Sequence, residues 1–244
     1  MEAWEGTGGA VGERAAIIGL GAAVGLGLGS VNLALQRYVK GHPQSTLAKD
    51  VDDDTRNNGH YVVPISSVAA GLSLWTASIL TGPLSEAASM GWSGWWFGAQ
   101  RQWATTGMLA VTAGHYAQEI VANKWGGPML LLHHIVAIMT ALNIQAASCC
   151  RGLLLSWGAV YEAGSLLLCM GYVGFIPRAA GHWAVTLSTV LGMGCGLHGI
   201  CRREATPRLN AAEWFTVTTL FAVGIGRIQE GADHLSKLFR KKSA

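Results

Sequence analysis

The chain has 244 residues, of which 50% are hydrophobic and only 13% are charged, and its mean hydropathy is +0.32. Soluble domains carry about 25% charged residues, so this composition argues against a water-soluble fold and predicts a membrane protein. The net charge of +3 is small, and the basic residues are scattered among short loops without interleaved aromatic residues, which excludes a nucleic-acid partner.

Seven apolar stretches approach the roughly 20 residues that a helix needs to cross the hydrocarbon core. They run over residues 15–35, 61–82, 103–122, 128–148, 152–172, 181–200 and 212–235. The sequence therefore predicts an all-α, polytopic transmembrane helical bundle with about seven spans, or six if the least apolar last stretch does not cross. Residues 1–60 form an N-terminal segment with the first transmembrane helix and a polar loop, and residues 61–244 form the rest of the bundle.

The first stretch carries a repeat of small residues at Gly21, Gly25 and Gly29. Residues four apart share one helix face, where glycine lets the backbone of a neighbouring helix approach closely. We predict helix packing on this face, within the chain or, as the alternative, against another chain. The acidic start MEAWEGTGG resembles neither a secretory signal nor a transit peptide, so the first span is expected to stay as an anchor.

Two connections are longer than turns. Residues 36–60 contain DVDDDTRNNGH, which is expected to be a solvated loop because the spacing and glycine of a calcium-binding EF-hand are absent. The second connection, 83–102, and the residue after it concentrate tryptophans, which prefer the headgroup layer. An interfacial or re-entrant segment is predicted there, with interfacial residues Trp92, Trp95, Trp96 and Trp103.

Ionisable and polar residues within the spans are the candidates for function, since such groups are costly at membrane depth unless they are paired or face water. Arg227 and Glu230 are spaced i, i+3 on the last stretch and are expected to neutralise each other. The predicted lipid-binding or polar-core residues are His115, Tyr116, Glu119, His133, His134, Asn143, Glu162, Arg227 and Glu230.

A metal site is the main alternative use of these residues. Membrane di-metal oxygenases need many more histidines, in HxxxH and HxxHH clusters, and this chain has eight in total. No histidine spacing selects a haem, and a retinal protein needs a lysine in its last span, whereas Lys237 lies beyond it. We therefore expect no metal and no cofactor.

The stretch GHYAQEIVANKWGGPMLLLHHIVAIMTALNI, followed by YEAGSLL and GFIPR, resembles the TLC-domain family, which includes ceramide synthases and several non-enzymatic relatives. The resemblance covers about residues 107–202. In that family a GYxxxD-like element precedes a short loop with proline, a helix that starts with paired histidines, and a later acidic residue before small residues. The matching positions here are Tyr116, Glu119, Pro128, His133, His134 and Glu162.

One departure from the family pattern bears on catalysis. Ceramide synthases carry a His-Asp and a further Asp in the helix after the paired histidines, and CCRGLLLSWGAVYEAG has neither. A histidine base without these carboxylates lacks the arrangement that orients and activates it. The resemblance therefore implies the non-synthase branch: a non-catalytic protein that binds or organises lipid, as an accessory or structural subunit of a larger membrane complex.

Two alternatives stay open at this point. The chain could be a ceramide-synthase-like lipid acyltransferase, or another lipid-modifying enzyme, with His133, His134 and Glu162 as its catalytic residues. The histidine pair could also simply contact loop carbonyls, headgroups or water. The expected partners are membrane lipids and other membrane protein subunits.

Orientation and location follow from the charges between spans. With seven spans, ten lysines and arginines fall on one side and six on the other, which predicts a C-terminus facing the cytoplasm or the mitochondrial matrix. The ending KKSA resembles the dilysine signal for retrieval to the endoplasmic reticulum. The endoplasmic reticulum and the mitochondrial inner membrane are both consistent with these features.

Overall fold

The computed structural model of the chain describes residues 2–48, 58–81, 103–122, 128–147, 150–201 and 209–242. These ranges contain seven α-helices: α1 (Glu2–Gly41), α2 (Val62–Thr81), α3 (Trp103–Val121), α4 (Pro128–Asn143), α5 (Arg151–Val173), α6 (Arg178–Cys201) and α7 (Ala211–Lys242). Each predicted apolar stretch thus coincides over most of its length with a described helix, and the predicted all-α bundle is confirmed.

Four of the described helices contain segments long and apolar enough to cross a membrane. These segments are Val11–Gly41, Gly59–Leu80, Arg151–Val173 and Arg178–Cys201, and α4 adds the shorter apolar segment Leu131–Ala146. The remaining helices, α3 and α7, carry most of the polar residues that the sequence singled out, which lowers their hydropathy. The chain is an integral membrane protein on the strength of its four spanning helices.

Helices α2 to α7 form a closed ring. Around the ring, α3 packs on α2, α2 on α5, α5 on α6, α6 on α7, α7 on α4 and α4 on α3, while α1 lies outside on α3. Ser67 near the start of α2 contacts His115 near the end of α3, and Tyr116 contacts His134 near the start of α4. Successive helices therefore run in opposite directions, and we name the end of the bundle that holds these residues the histidine end.

The contact between α1 and α3 is built on glycine. A Cβ placed on Gly21 would lie 3.3 Å from the carbonyl oxygen of Ala110, and one placed on Gly25 would lie 3.1 Å from that of Gly114. Gly29, the third glycine of the repeat, faces the side chain of Gln118 at 3.7 Å. The glycine face of α1 thus packs within the chain, where absent side chains let two backbones meet.

A buried ion pair at the opposite end of the bundle ties α1 to α5. Arg151, the first residue of α5 and 1% exposed, donates to both carboxylate oxygens of Glu13, with Nη1 at 2.8 Å from Oε2. Thr106 on α3 donates a further hydrogen bond of 2.8 Å to Glu13 Oε1. Glu13 precedes the apolar stretch that begins at residue 15, so the buried packing of α1 extends beyond that stretch.

Local signals set two other helix boundaries. Helix α5 ends at Val173 and is capped by Gly174, whose φ of 91° is a left-handed conformation that glycine adopts without strain and whose N–H donates to the carbonyl of Met170. Pro177 then precedes α6. Helix α7 begins with a reciprocal cap, in which the Glu213 N–H donates to Asn210 Oδ1 at 2.9 Å and the Asn210 N–H donates to Glu213 Oε2 at 2.8 Å.

Candidate functional site

A cluster of aromatic and histidine rings occupies the histidine end of the ring of helices. The Tyr116 ring centroid lies 4.9 Å from that of His115, 5.4 Å from that of His133 and 5.1 Å from that of His134. Tyr116 is buried and comes from α3, whereas the two adjacent histidines come from the first turns of α4. Four of the predicted residues of α3 and α4 therefore meet in space: His115, Tyr116, His133 and His134.

Hydrogen bonds fix part of this cluster to the neighbouring helices. Ser67 Oγ lies within hydrogen-bond distance of the carbonyl of Val63 and of His115 Nδ1, at 3.0 Å in each case. Tyr116 donates to Glu162 Oε1 on α5 at 2.6 Å. These two bonds link α2, α3 and α5 at membrane depth.

The second histidine of the pair faces an acidic residue. His134 Nε2 lies 3.9 Å from Glu119 Oε2, and both side chains are largely buried, with 4% and 12% exposure. His115 and Glu119 lie one helical turn apart on α3, but their side chains contact different helices. Glu119 pairs across to α4, while His115 turns toward α2.

Two cavities adjoin the cluster, and Glu162 borders both. The smaller has a volume of about 10 Å³ and is lined by Ser67, His115 and Tyr116 among others, which is room for about one water molecule. The larger has a volume of about 80 Å³ and lies between α3, α4, α5 and α7.

The polar groups of the larger cavity are concentrated toward the histidine end. His133, Glu162 and Arg227 border it there, and threonines add hydroxyl groups further along. His133 and Ile144 both border the cavity and are eleven residues apart. Eleven residues of a helix span about 16 Å along its axis, so the cavity is elongated. Most of its wall is apolar and includes Leu109, Ala141, Leu154, Leu155, Leu220 and Val223.

Arg227 is held in place by neutral groups. Its Nε donates to Thr189 Oγ1 at 3.1 Å, Nη1 to Ser165 Oγ at 3.0 Å, and Nη2 to the carbonyl of Tyr161 at 2.9 Å. The guanidinium carbon also lies 5.3 Å from the centre of the Tyr161 ring, which adds a cation–π contact.

The expected neutralisation of Arg227 by Glu230 is wrong. Glu230 is 71% exposed, and its Oε1 lies 3.9 Å from His234 Nε2 on the same helix. Arg227 donates to acceptors on α5 and α6, whereas Glu230 lies on the exposed surface of α7. Glu230 is therefore not a polar-core residue.

No family model, curated protein or solved structure matches this chain. The function must accordingly be inferred from the geometry of the site and from the chemistry of its residues.

The remaining predicted residues lie apart from the cluster or outside the described ranges. Asn143 is the last residue of α4, ten residues and about 15 Å of helical rise from His133. Trp103 begins α3 and is 69% exposed. Trp92, Trp95 and Trp96 lie outside the described residues.

Several residues of the site gave no signal in the sequence. Ser67 lies in an apolar stretch, and Thr189 and Ser165 are ordinary small residues of spanning helices, yet they bind His115 and Arg227. Hydroxyl groups on membrane helices often bond to their own backbone, so only the packing identifies these. Within the described ranges, no three side chains of His, Cys, Asp or Glu are arranged to hold a metal ion.

Proposed function

We propose that this chain is a non-catalytic multi-pass membrane protein that binds lipid in the cavity between α3, α4, α5 and α7. The observation that carries the proposal is the distribution of groups around that cavity. Its walls are apolar over most of their length, and His133, Glu162 and Arg227 border it toward one end. An amphiphile has the same distribution, a long apolar chain with one polar head.

Access from the bilayer favours a lipid over a water-soluble ligand. Helices α4 and α7 are the least closely packed neighbours in the ring, and both contribute cavity residues, among them Thr140 and Thr219. On the outer surface of α4, Ile135 and Met139 are each 45% exposed. A lipid chain can therefore enter sideways between these two helices.

The arrangement of the histidines favours binding over catalysis. A general base needs a partner that orients and activates it. The carboxylate of Glu119 faces His134, which does not border the larger cavity. His133 does border that cavity, but no described group hydrogen-bonds to its ring. Its nitrogens are thus available to a ligand headgroup and lack the carboxylate that an acyltransferase base would use.

The proposal includes a role as an accessory or structural subunit of a larger membrane complex. Large apolar side chains on the outer faces of α1 and α6 are exposed, including Leu26 at 75%, Leu33 at 63% and Leu191 at 62%. Such faces contact lipid or other membrane subunits. The resemblance of residues 107–202 to the TLC-domain family agrees with this role, and the endoplasmic reticulum and the mitochondrial inner membrane remain the two predicted locations.

Two glycines provide a matched test of lipid binding. Gly158 borders the larger cavity and Gly194 lies on the exposed face of α6, and a Cβ on either would meet no atom within 4 Å. Gly158→Leu should fill the cavity, while Gly194→Leu adds the same bulk to the lipid-facing surface. Native mass spectrometry of protein released from nanodiscs should show a bound lipid in the wild type and in Gly194→Leu, and none in Gly158→Leu.

The contrary result is equally clear. If the wild type carries no lipid, or if Gly158→Leu retains as much lipid as Gly194→Leu, the cavity is not a lipid site. The same spectra report partner subunits, because a complex that survives extraction appears as an added mass.

Lipid acyl transfer is the second candidate, since His133 and Glu162 border one cavity. Purified protein in nanodiscs would be incubated with a long-chain acyl-CoA and a long-chain amine, and the amide product measured by mass spectrometry. Amide formation that disappears in His133→Ala would establish the enzyme and refute the non-catalytic proposal. No amide above the protein-free control would support the binding function.

A further inference from the structure

The charge of Arg227 has no counter-charge in contact among the described residues. Arginine stays protonated in proteins, and its guanidinium has five N–H donors. The three hydrogen bonds that it makes go to two hydroxyl oxygens and one carbonyl oxygen. Among the described residues, no carboxylate lies within ion-pair distance of it. A cation at membrane depth is thus only partly compensated.

Donors on Arg227 also remain unused. Each Nη carries two hydrogens, and each makes one hydrogen bond to a described residue, so one N–H on each nitrogen has no partner among those residues. Arg227 borders the larger cavity. Two parallel N–H groups of a guanidinium match the two oxygens of a carboxylate, which makes such a pair strong as well as specific.

Glu162 supplies a second unsatisfied group at the same cavity. Its Oε1 accepts the hydrogen bond from Tyr116, whereas its Oε2 is buried and accepts no hydrogen bond from the described residues. A buried oxygen without a partner loses its hydration without compensation, so a ligand that donates to it gains affinity. Two residues that border the same cavity thus have unused polar groups, donors on Arg227 and an acceptor on Glu162.

We propose that the larger cavity binds a fatty acid, with its carboxyl group held between the guanidinium of Arg227 and Oε2 of Glu162. The inference rests on the proposed function, because it specifies the headgroup of the lipid bound there. A carboxyl and a carboxylate sharing one proton carry a single negative charge, which balances the arginine. The shared proton also gives Oε2 its missing hydrogen bond.

Other headgroups fit the same site less well. An ammonium group would pair with Glu162 but would place a second positive charge beside Arg227. An alcohol could make both hydrogen bonds but brings no charge to balance the arginine. A phosphate diester has a large substituent on each side, and the cavity of about 80 Å³ is about half the size of an engineered 150 Å³ cavity that accepts benzene. It has room for a carboxyl group and the first methylenes, while the rest of the chain leaves between α4 and α7.

Photolabelling with three matched probes tests this specificity. Palmitic acid with a diazirine in its chain, the corresponding alcohol and the corresponding amine would each be added to the protein in phosphatidylcholine nanodiscs. Labelling of peptides from α4 and α5 is divided by labelling of α6 to correct for partition into the bilayer. The variants are Arg227→Gln and, as the matched control, Arg37→Gln, whose arginine is exposed near the end of α1.

In the wild type, the acid should label the cavity helices at least about tenfold more than the amine, with the alcohol between them. Arg227→Gln should lower labelling by the acid to about that of the alcohol, and Arg37→Gln should leave it unchanged. If Arg227→Gln fails to insert, Arg227→Lys keeps the charge and should keep the preference of acid over amine.

Two contrary outcomes have different meanings. Equal cavity labelling by all three probes, with no effect of Arg227→Gln, would overturn the fatty-acid inference and leave lipid binding intact. Loss of the acid preference in the wild type or in Arg227→Lys would have the same meaning. Absence of cavity labelling by any probe in the wild type would overturn both the inference and the proposed function.

Discussion

Removal of Arg151 should destabilise the protein strongly, because it takes the guanidinium away from the buried carboxylate of Glu13. Arg151 is 1% exposed and donates through both Nη atoms to Glu13. In Arg151→Met, Glu13 keeps the hydrogen bond from Thr106 but loses the two from the guanidinium. Loss of one partner of a buried ion pair costs about 3–5 kcal/mol, whereas replacement of both partners by apolar residues is close to neutral or even stabilising.

The expected free energies of unfolding therefore form a double-mutant cycle. Arg151→Met should lower the free energy of unfolding by about 3–5 kcal/mol, and the double variant Glu13→Leu with Arg151→Met should recover most of that loss. Arg37→Met, at an exposed arginine, should change it by less than about 0.5 kcal/mol. The assay is reversible unfolding by SDS in bicelles, followed by tryptophan fluorescence.

A different result would refute this account of the ion pair. If Arg151→Met costs no more than Arg37→Met, the arginine is not buried against a carboxylate. If the double variant is as unstable as the sum of the two single variants, the residues act independently, and the docking of α1 does not depend on their pairing.

Two further predictions use matched pairs of variants in the same unfolding assay. Tyr116→Phe removes the donor to a buried glutamate and should lower the free energy of unfolding by about 1–3 kcal/mol. Tyr38→Phe, at a side chain that is 49% exposed, should not change it measurably. Equal effects of the two variants would contradict the buried hydrogen bond. Gly196→Leu places a side chain against the Trp157 ring on α5 and should lower the free energy of unfolding by at least about 1–3 kcal/mol. Gly194→Leu, two residues away and with no atom within 4 Å of its Cβ position, should be tolerated. A stable Gly196→Leu protein would contradict the packing of α5 against α6.

The helices themselves were predictable, and their lengths were less so. An apolar stretch of about 20 residues marks a spanning helix without reference to its neighbours. Helix α1 nevertheless begins at Glu2, and Glu13 within it pairs with a residue of α5 that lies 138 positions further along the chain. A sequence does not reveal such a partner. From the sequence alone, a charged residue therefore indicates the end of a spanning helix, even where the structure buries it in a contact between helices.

The candidate site was predictable in its members but not in its pairings. Tyr116, His133, His134 and Glu162 stand out because polar residues are rare at membrane depth, and the structure brings them together. Which side chain faces which depends on how each helix is rotated about its axis. That rotation is set by contacts between helices, as the orientation of Arg227 toward α5 and α6 illustrates.

The most direct test of the central claim is an experimental density map of the wild-type protein in lipid nanodiscs, with a bound antibody fragment as a fiducial. The account predicts an elongated density between α3, α4, α5 and α7, with its polar end beside Glu162 and Arg227 and its tail leaving between α4 and α7. A map in which side chains or only isolated waters fill that space would contradict lipid binding in the cavity.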